Sequence, residues 1–202
     1  MKISIILGHP RAGSFNHAIA ETVKGILEEN GHCVDFHDLY RERFDPVVPA
    51  TEISADSKLD SVVEVHCREI AEADGIVIVH PNWWGQPPAI LKGWIDRVLR
   101  AGVAYKFCDG DSGEGVPMGL LRAKGALVFN TTDTDYEREM AIFGDPLDTI
   151  WKNCILRYCG VETIVRKSYG VVVTSTLEER RRWLDDAAAL VRETFLTDCT
   201  AI

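Results

Sequence analysis

The chain has 202 residues, 46% hydrophobic and 26% charged, a balance that fits one soluble globular domain with room for a sizeable core. Its 31 Asp and Glu against 22 Lys and Arg leave a net charge of −9, which argues against a nucleic-acid-binding surface but not against a small anion held by one loop. The opening apolar run, MKISIILG, breaks at Gly8-His9-Pro10. It is too short for a secretion signal or a membrane span, so no direct membrane insertion is expected. The six cysteines (33, 67, 108, 154, 159 and 199) form no C-x-x-C pair and no zinc spacing with histidine. Free, mostly buried thiols in a reducing, cytoplasmic setting are expected.

In chain order, residues 2–7 read as a buried strand and 16–30 as a helix stopped by Gly31. A strand over 34–39 carries interleaved charges, the mark of a sheet edge. Residues 41–57 are irregular, with Pro46 and Pro49, and 59–73 are helical. GIVIVHP (75–81) is the strongest strand signal. Pro88 opens a helix to Leu99, proline being favoured at a first helical position. A glycine-rich loop spans 108–119, a strand 125–132, a helix 146–159 and a fifth strand 163–173. Thr176, with Glu179 three residues on, forms a capping box before a last helix, whose core stripe is Leu177, Leu184, Ala188, Val191 and Phe195. The run Arg180-Arg181-Arg182 reads as solvated surface. Five strands alternating with helices imply parallel pairing through right-handed crossovers. The expected fold is therefore α/β: a single-domain, three-layer sandwich around a five-stranded parallel sheet.

In such sheets ligands bind beyond the carboxyl ends of the strands, near the point where strand order reverses. Residues 8–16, 80–87 and 130–136 are therefore the segments of interest. GHPRAGS (8–14) reads as a P-loop that has lost its lysine, with Ser14 directly after the second glycine. Ser14, Asn16 and the backbone N–H groups opening the next helix can still hold a phosphate. The missing lysine argues against nucleotide hydrolysis. In HPNWWGQPP (80–88), adjacent tryptophans are costly to expose unless something flat lies against them. NTTDTDY (130–136) brings two threonine hydroxyls and a phenol to the same edge. Taken singly, the first and third loops read equally well as unliganded turns, and the two indoles of the second could instead fill the core or a subunit interface. The convergence of the three loops on one sheet edge favours a site.

At these residues the chain resembles the NAD(P)H:quinone oxidoreductases with a flavodoxin-like fold, which include ancillary oxidoreductases of potassium-efflux systems. The resemblance is carried by GHPRAGSFN, DLYRERFDP (38–46), ADGIVIVHPNWWGQPPAILKGWIDRV, FNTT and FGDPLDTIWKNCILRYCG (143–160). It implies a bound flavin, FMN being expected from the short chain and FAD the alternative. His9, Ser14, Phe15 and Asn16 would hold the phosphate side. Pro81, Asn82, Trp83, Trp84 and Gly85 would contact the isoalloxazine, and Thr131 and Thr132 its pyrimidine end. Tyr136 would be the catalytic tyrosine near the flavin's polar edge. NAD(P)H would reduce the flavin and a quinone-like acceptor would reoxidise it, by ping-pong hydride transfer in a homodimer.

The chain departs from the family at three places. Asp133-Thr134 stands where the family often has two glycines, so a carboxylate would oppose charge building up on the flavin. Phe143 stands where long animal enzymes place a proton-relay histidine. Gly85 replaces an aromatic of many relatives. A regulatory or electron-carrying flavoprotein and a simple phosphate binder are the competing expectations.

Overall fold

Along the central strands, alternate residues supply opposite cores, as the two-residue period of a strand requires. Ile3, Ile5 and Leu7 face one side with Val77, Val79, Leu127 and Phe129, while Ile6, Ile76, Ile78, Ala126 and Val128 face the other. In the computed structural model, which describes residues 1–54, 57–108 and 114–195, the strands are β1 (Lys2–Leu7), β2 (Cys33–Asp38), β3 (Gly75–Pro81), β4 (Gly125–Thr131) and β5 (Thr163–Tyr169). All pair in parallel in the order β2-β1-β3-β4-β5. The order reverses between β1 and β3, and β2 is an edge strand paired with β1 alone among the described residues. Helices α1 (Phe15–Glu29) and α6 (Leu177–Phe195) cover one face. The other is covered by α2 (Ser61–Glu72), α3 (Ala89–Val98) and α5, which starts at Pro146–Thr149. The expected three-layer α/β sandwich is what forms.

Local chemistry sets the helix ends. Ser14 caps α1, and Asp60 caps α2 by accepting the Val62 N–H at 2.9 Å. The capping box before α6 closes in both directions: Thr176 N–H donates to Glu179 at 2.7 Å, and Glu179 N–H donates to Thr176 Oγ1 at 3.2 Å. Three expectations are corrected. The 146–159 helix continues from α5 as π-type turns over Ile150–Leu156, visible in the Arg157 N–H bonded to the Lys152 carbonyl. A shorter α turn, α4 (Tyr136–Arg138), likewise widens over Glu139–Phe143. The fifth strand stops at Tyr169, opposite the last residue of β4, so 170–173 becomes loop. Leu177 is not core but 65% exposed, whereas Ala187, Ala188, Val191 and Phe195 are buried.

Of the glycine-rich loop, residues 109–113 lie outside the described residues. Met118–Gly119 pairs antiparallel with Tyr105–Lys106. Among the described cysteines, all free, Cys67 and Cys159 are buried, whereas Cys33, Cys108 and Cys154 are exposed, so burial is less general than expected. Of the irregular segment, residues 41–54 lie across α3 and are pinned there. A Cβ on Gly93 would collide with the Pro46 backbone. Arg97 donates to Glu52 at 2.6 and 3.0 Å, both side chains buried, and to the Asp45 carbonyl at 2.7 Å.

A second, partly buried network ties β2 to α2. His37 bridges two carboxylates, Nδ1 to Glu42 at 3.1 Å and Nε2 to Glu69 at 2.8 Å, while His66 Nε2 lies 3.3 Å from Glu42. Trp94 donates its indole N–H to His66 Nδ1 at 3.0 Å. That leaves the His66 proton on Nε2, facing Glu42, so His37, Glu42 and His66 form a hydrogen-bond network in spite of their ligand-like spacing. Burial alone would lower the His37 pKa, but Glu42 and Glu69 outweigh it and raise it. Burial of Glu42 is likewise outweighed by the two histidines, which hold it at about 2. The raised histidine stabilises the fold fully below its unfolded value of about 6.5 and loses that contribution as pH rises through the folded value. The depressed Glu42 contributes fully above about 4.5 and is lost as pH falls toward 2. Urea midpoints are therefore expected to fall from about pH 6.5 upward, and Glu42→Gln to flatten that fall.

Candidate functional site

The carboxyl ends of β1, β3 and β4 open onto one cleft of about 830 Å3 at the strand-order reversal. One corner of it is the start of α1. The first-turn N–H groups of any helix lack intrahelical acceptors and carry the positive end of the helix dipole. Here they open onto a wall that includes Gly13, Ser14, Phe15 and Asn16. Ser14 Oγ accepts the His17 N–H at 3.3 Å and lies 2.8 Å from His17 Nδ1. His9 also lines the cleft. Its Nδ1 accepts the Arg11 N–H at 3.1 Å, and burial lowers its pKa.

Asn16 is the link between loops. Buried, it donates its Nδ2 hydrogen to Thr131 Oγ1 at 2.8 Å, across 115 residues of sequence, while its Oδ1 is buried with no partner. An unsatisfied buried acceptor is costly. On a cleft wall it is suited to the hydroxyl or N–H of a ligand.

The second loop divides. Pro81, Asn82 and Trp83 line the cleft, with the Trp83 ring 6.4 Å from that of His9. Trp84 and Gly85 are not among the lining residues. Trp83 and Gln86 exchange backbone hydrogen bonds at 3.1 and 3.0 Å around a tight turn whose central residues have φ of 59° and 70°. That turn leaves the Trp84 side chain 100% exposed. Thr131, Thr132 and Asp133 line the cleft from the third loop. The Asp133 carboxylate accepts the Val173 N–H at 2.8 Å, which ties its charge to the loop after β5. Tyr136 is 65% exposed and lines a smaller pocket of about 100 Å3, whose wall shares Asn82, Thr132 and Thr134 with the cleft.

Beneath the second and third loops lies a polar network. His80 donates Nδ1–H to the Pro81 carbonyl at 2.8 Å, and its Nε2 accepts from Trp151 at 2.8 Å and faces the Asn130 amide nitrogen at 2.8 Å. Burial, helped by the positive Arg166, pushes His80 down to about 4 although the Pro81 bond opposes it, so the ring is neutral at pH 7. Arg166 donates to Asn130 Oδ1 at 2.8 Å and pairs with Asp145. These residues hold the ends of β3 and β4 against α5.

Sequence reading missed the far wall. Leu177, Arg180, Arg181 and Leu184, spaced i, i+3, i+4 and i+7, present one stripe of α6 to the cleft. Arg180 donates to Ser175 Oγ at 2.8 Å and to the Val172 carbonyl at 3.0 Å. Two of the three arginines read as solvated surface therefore join Arg11 in making the cleft locally basic on an acidic chain. The stripe spacing was legible, but its destination depended on where α6 packs.

A family model described as a flavodoxin-like fold matches residues 1–189. An NAD(P)H oxidoreductase of Haemophilus influenzae is 33% identical over 188 residues, covering 91% of each chain. The ribosyldihydronicotinamide dehydrogenase [quinone] of Mus musculus is 29% identical, over 90% of this chain and 86% of that one. The solved structure of an NAD(P)H:quinone oxidoreductase from Methanothermobacter marburgensis superposes with a TM-score of 0.81 at 27% identity, covering 96% of both chains. Reversed strand order, a cleft at the reversal and similarity along nearly the whole length agree: the chain belongs to the flavodoxin-like fold family.

Proposed function

We propose that this protein is a flavin-dependent NAD(P)H dehydrogenase that delivers two electrons to a quinone-like acceptor. The observation that carries the reading is the meeting, in one cleft, of a serine-capped helix start, the unpartnered Asn16 Oδ1 and the Trp83 indole. The reaction class comes from the relatives' names. A bound flavin would accept hydride from NAD(P)H and pass it on in a second step. The chain's own part is positioning. His9, Ser14, Phe15 and the α1 N–H groups hold the phosphate side, and Asn16 and Thr131 satisfy polar groups of the linking chain. Pro81, Asn82, Trp83, Thr132 and Asp133 would border the ring, and Tyr136, in the adjoining pocket, would exchange protons with an acceptor.

FMN brings a single phosphate, which the start of α1 can hold. Arg180 and Arg181 on the opposite wall favour a second reading, FAD, by offering cations to a second phosphate. Heat release of the cofactor from purified protein, with identification by mass, decides between them. A protein that takes up neither flavin overturns the reading. Rapid reduction of bound flavin by NADH or NADPH supports the enzyme, and slow reduction with retained flavin supports a carrier or a potassium-efflux regulatory subunit.

A homodimer in the cytoplasm completes the reading. Trp84, Ile142 and Phe143 are 100%, 64% and 53% exposed beside the second and third loops, an apolar surface suited to a second copy of the chain. Light scattering at micromolar protein is expected to give twice the chain mass, and Trp84→Ser to shift it toward the monomer. A wild-type monomer with full turnover would show that one chain builds the site alone.

A further inference from the structure

His17 lies in the first turn of α1 and joins two segments that the sequence separates. Its Nδ1 is 2.8 Å from Ser14 Oγ on the cleft wall, and its Nε2 is 3.1 Å from Asp38 Oδ2 at the end of β2. Both its side chain and that of Asp38 are mostly buried, 16% and 13% exposed. Asp38 Oδ1 accepts the Arg41 N–H at 3.1 Å, which holds the carboxylate in place. The only other ring facing His17 among the described residues is His9, edge-on at 6.1 Å, whose own pKa is lowered by burial. Glu21, one turn further along α1, is exposed.

The hydrogen count decides what Ser14 offers a ligand. A serine hydroxyl donates one hydrogen and accepts two. With both His17 nitrogens protonated, Nε2–H donates to Asp38 and Nδ1–H to Ser14 Oγ. Ser14 then accepts from the His17 backbone and ring, and its own O–H is free to donate into the cleft. With a neutral ring the proton belongs on Nε2, because the other tautomer would set a lone pair against the Asp38 carboxylate. Nδ1 is then an acceptor and draws the Ser14 O–H away from the cleft, leaving an oxygen lone pair toward the ligand. An anion therefore favours the protonated ring, which also brings a positive charge to a loop without the P-loop lysine.

We propose that His17 is the positioning residue of the anion site: in its protonated form it turns the Ser14 hydroxyl toward a bound phosphate, so that binding a flavin phosphate takes up a proton at His17. The proposal rests on the flavin reading above and adds to it how the phosphate is recognised. Asp38 supports the protonated ring from behind, and the helix start supplies the remaining donors.

The test compares FMN with riboflavin, which lacks the phosphate, by flavin fluorescence titration of apoprotein between about pH 5.5 and 8.5, the range in which imidazoles change charge. The FMN-over-riboflavin preference of the native protein should fall about tenfold or more across that range relative to H17N. The asparagine amide can keep a donor toward Ser14 without titrating, and ionisation of the FMN phosphate itself is common to both proteins. D38N should move the fall to lower pH, and it serves as the second variant if H17N does not fold. Binding FMN should raise the fraction of His17 rings that NMR shows protonated on both nitrogens, relative to apoprotein at the same pH. Parallel pH profiles in native protein and variants, with flavin bound tightly, overturn the role of His17 alone. Failure to bind either flavin at any pH overturns the flavin reading as well.

Discussion

Ser14→Glu is expected to weaken FMN binding by nearly a thousandfold. Ser14 is buried on the cleft wall at the cap of α1, so a longer acidic side chain there must project toward the corner where the helix N–H groups converge. Two charges about 4 Å apart repel by roughly 4 kcal/mol at an effective dielectric of about 20. Loss of the serine cap costs the fold about 1 kcal/mol, which circular dichroism and a urea titration can measure separately. The control is riboflavin, whose affinity should change far less because it brings no phosphate charge. Unchanged affinity for FMN and FAD would remove the first loop from the binding site.

Glu52→Gln is the substitution expected to cost the fold most. Glu52 and Arg97 are both buried, bonded at 2.6 and 3.0 Å, and together they pin the irregular segment across α3. Removing one partner of a buried ion pair leaves the other charge uncompensated, at about 3–5 kcal/mol. For a domain of this size that is a fall of roughly 10 °C in Tm. The double replacement Glu52→Leu with Arg97→Met should recover much of the loss, because paired burial costs nearly what the pair contributes. The pair lies outside the cleft lining, so flavin affinity per folded molecule should stay within about twofold. A loss below about 1 kcal/mol in the single variant, read from urea unfolding, would show that water reaches Arg97 and screens it.

The two expectations differ in how far they were visible before the fold was known. Ser14 was legible because the glycines, the serine and the following helical pattern lie within a few residues, and a helix cap is a local event. The Glu52–Arg97 pair was not, since its members are 45 residues apart and Glu52 sat in a stretch read as irregular. The tryptophans show the same division. Their place on a loop beyond a strand end was legible from the prolines and glycine around them. Which indole faces the cleft was decided by the positive backbone angles at Trp84 and Gly85, and these sent Trp84 outward.

By itself the sequence determined the central strands, the helix starts and the identity of three loops at one sheet edge. Apolar periodicity and capping are interactions between residues at most a turn or a pleat apart. It also carried the resemblance, because the loop motifs are contiguous. The tertiary structure alone decided that Arg180 and Arg181 face the cleft, that β5 ends at Tyr169 to free a fourth loop, that Asn16 meets Thr131, and that His17 meets Asp38. Each of these depends on strand order and on the side of the sheet a helix crosses. Both follow from closing long loops around a shared core, and no short window of residues contains that information.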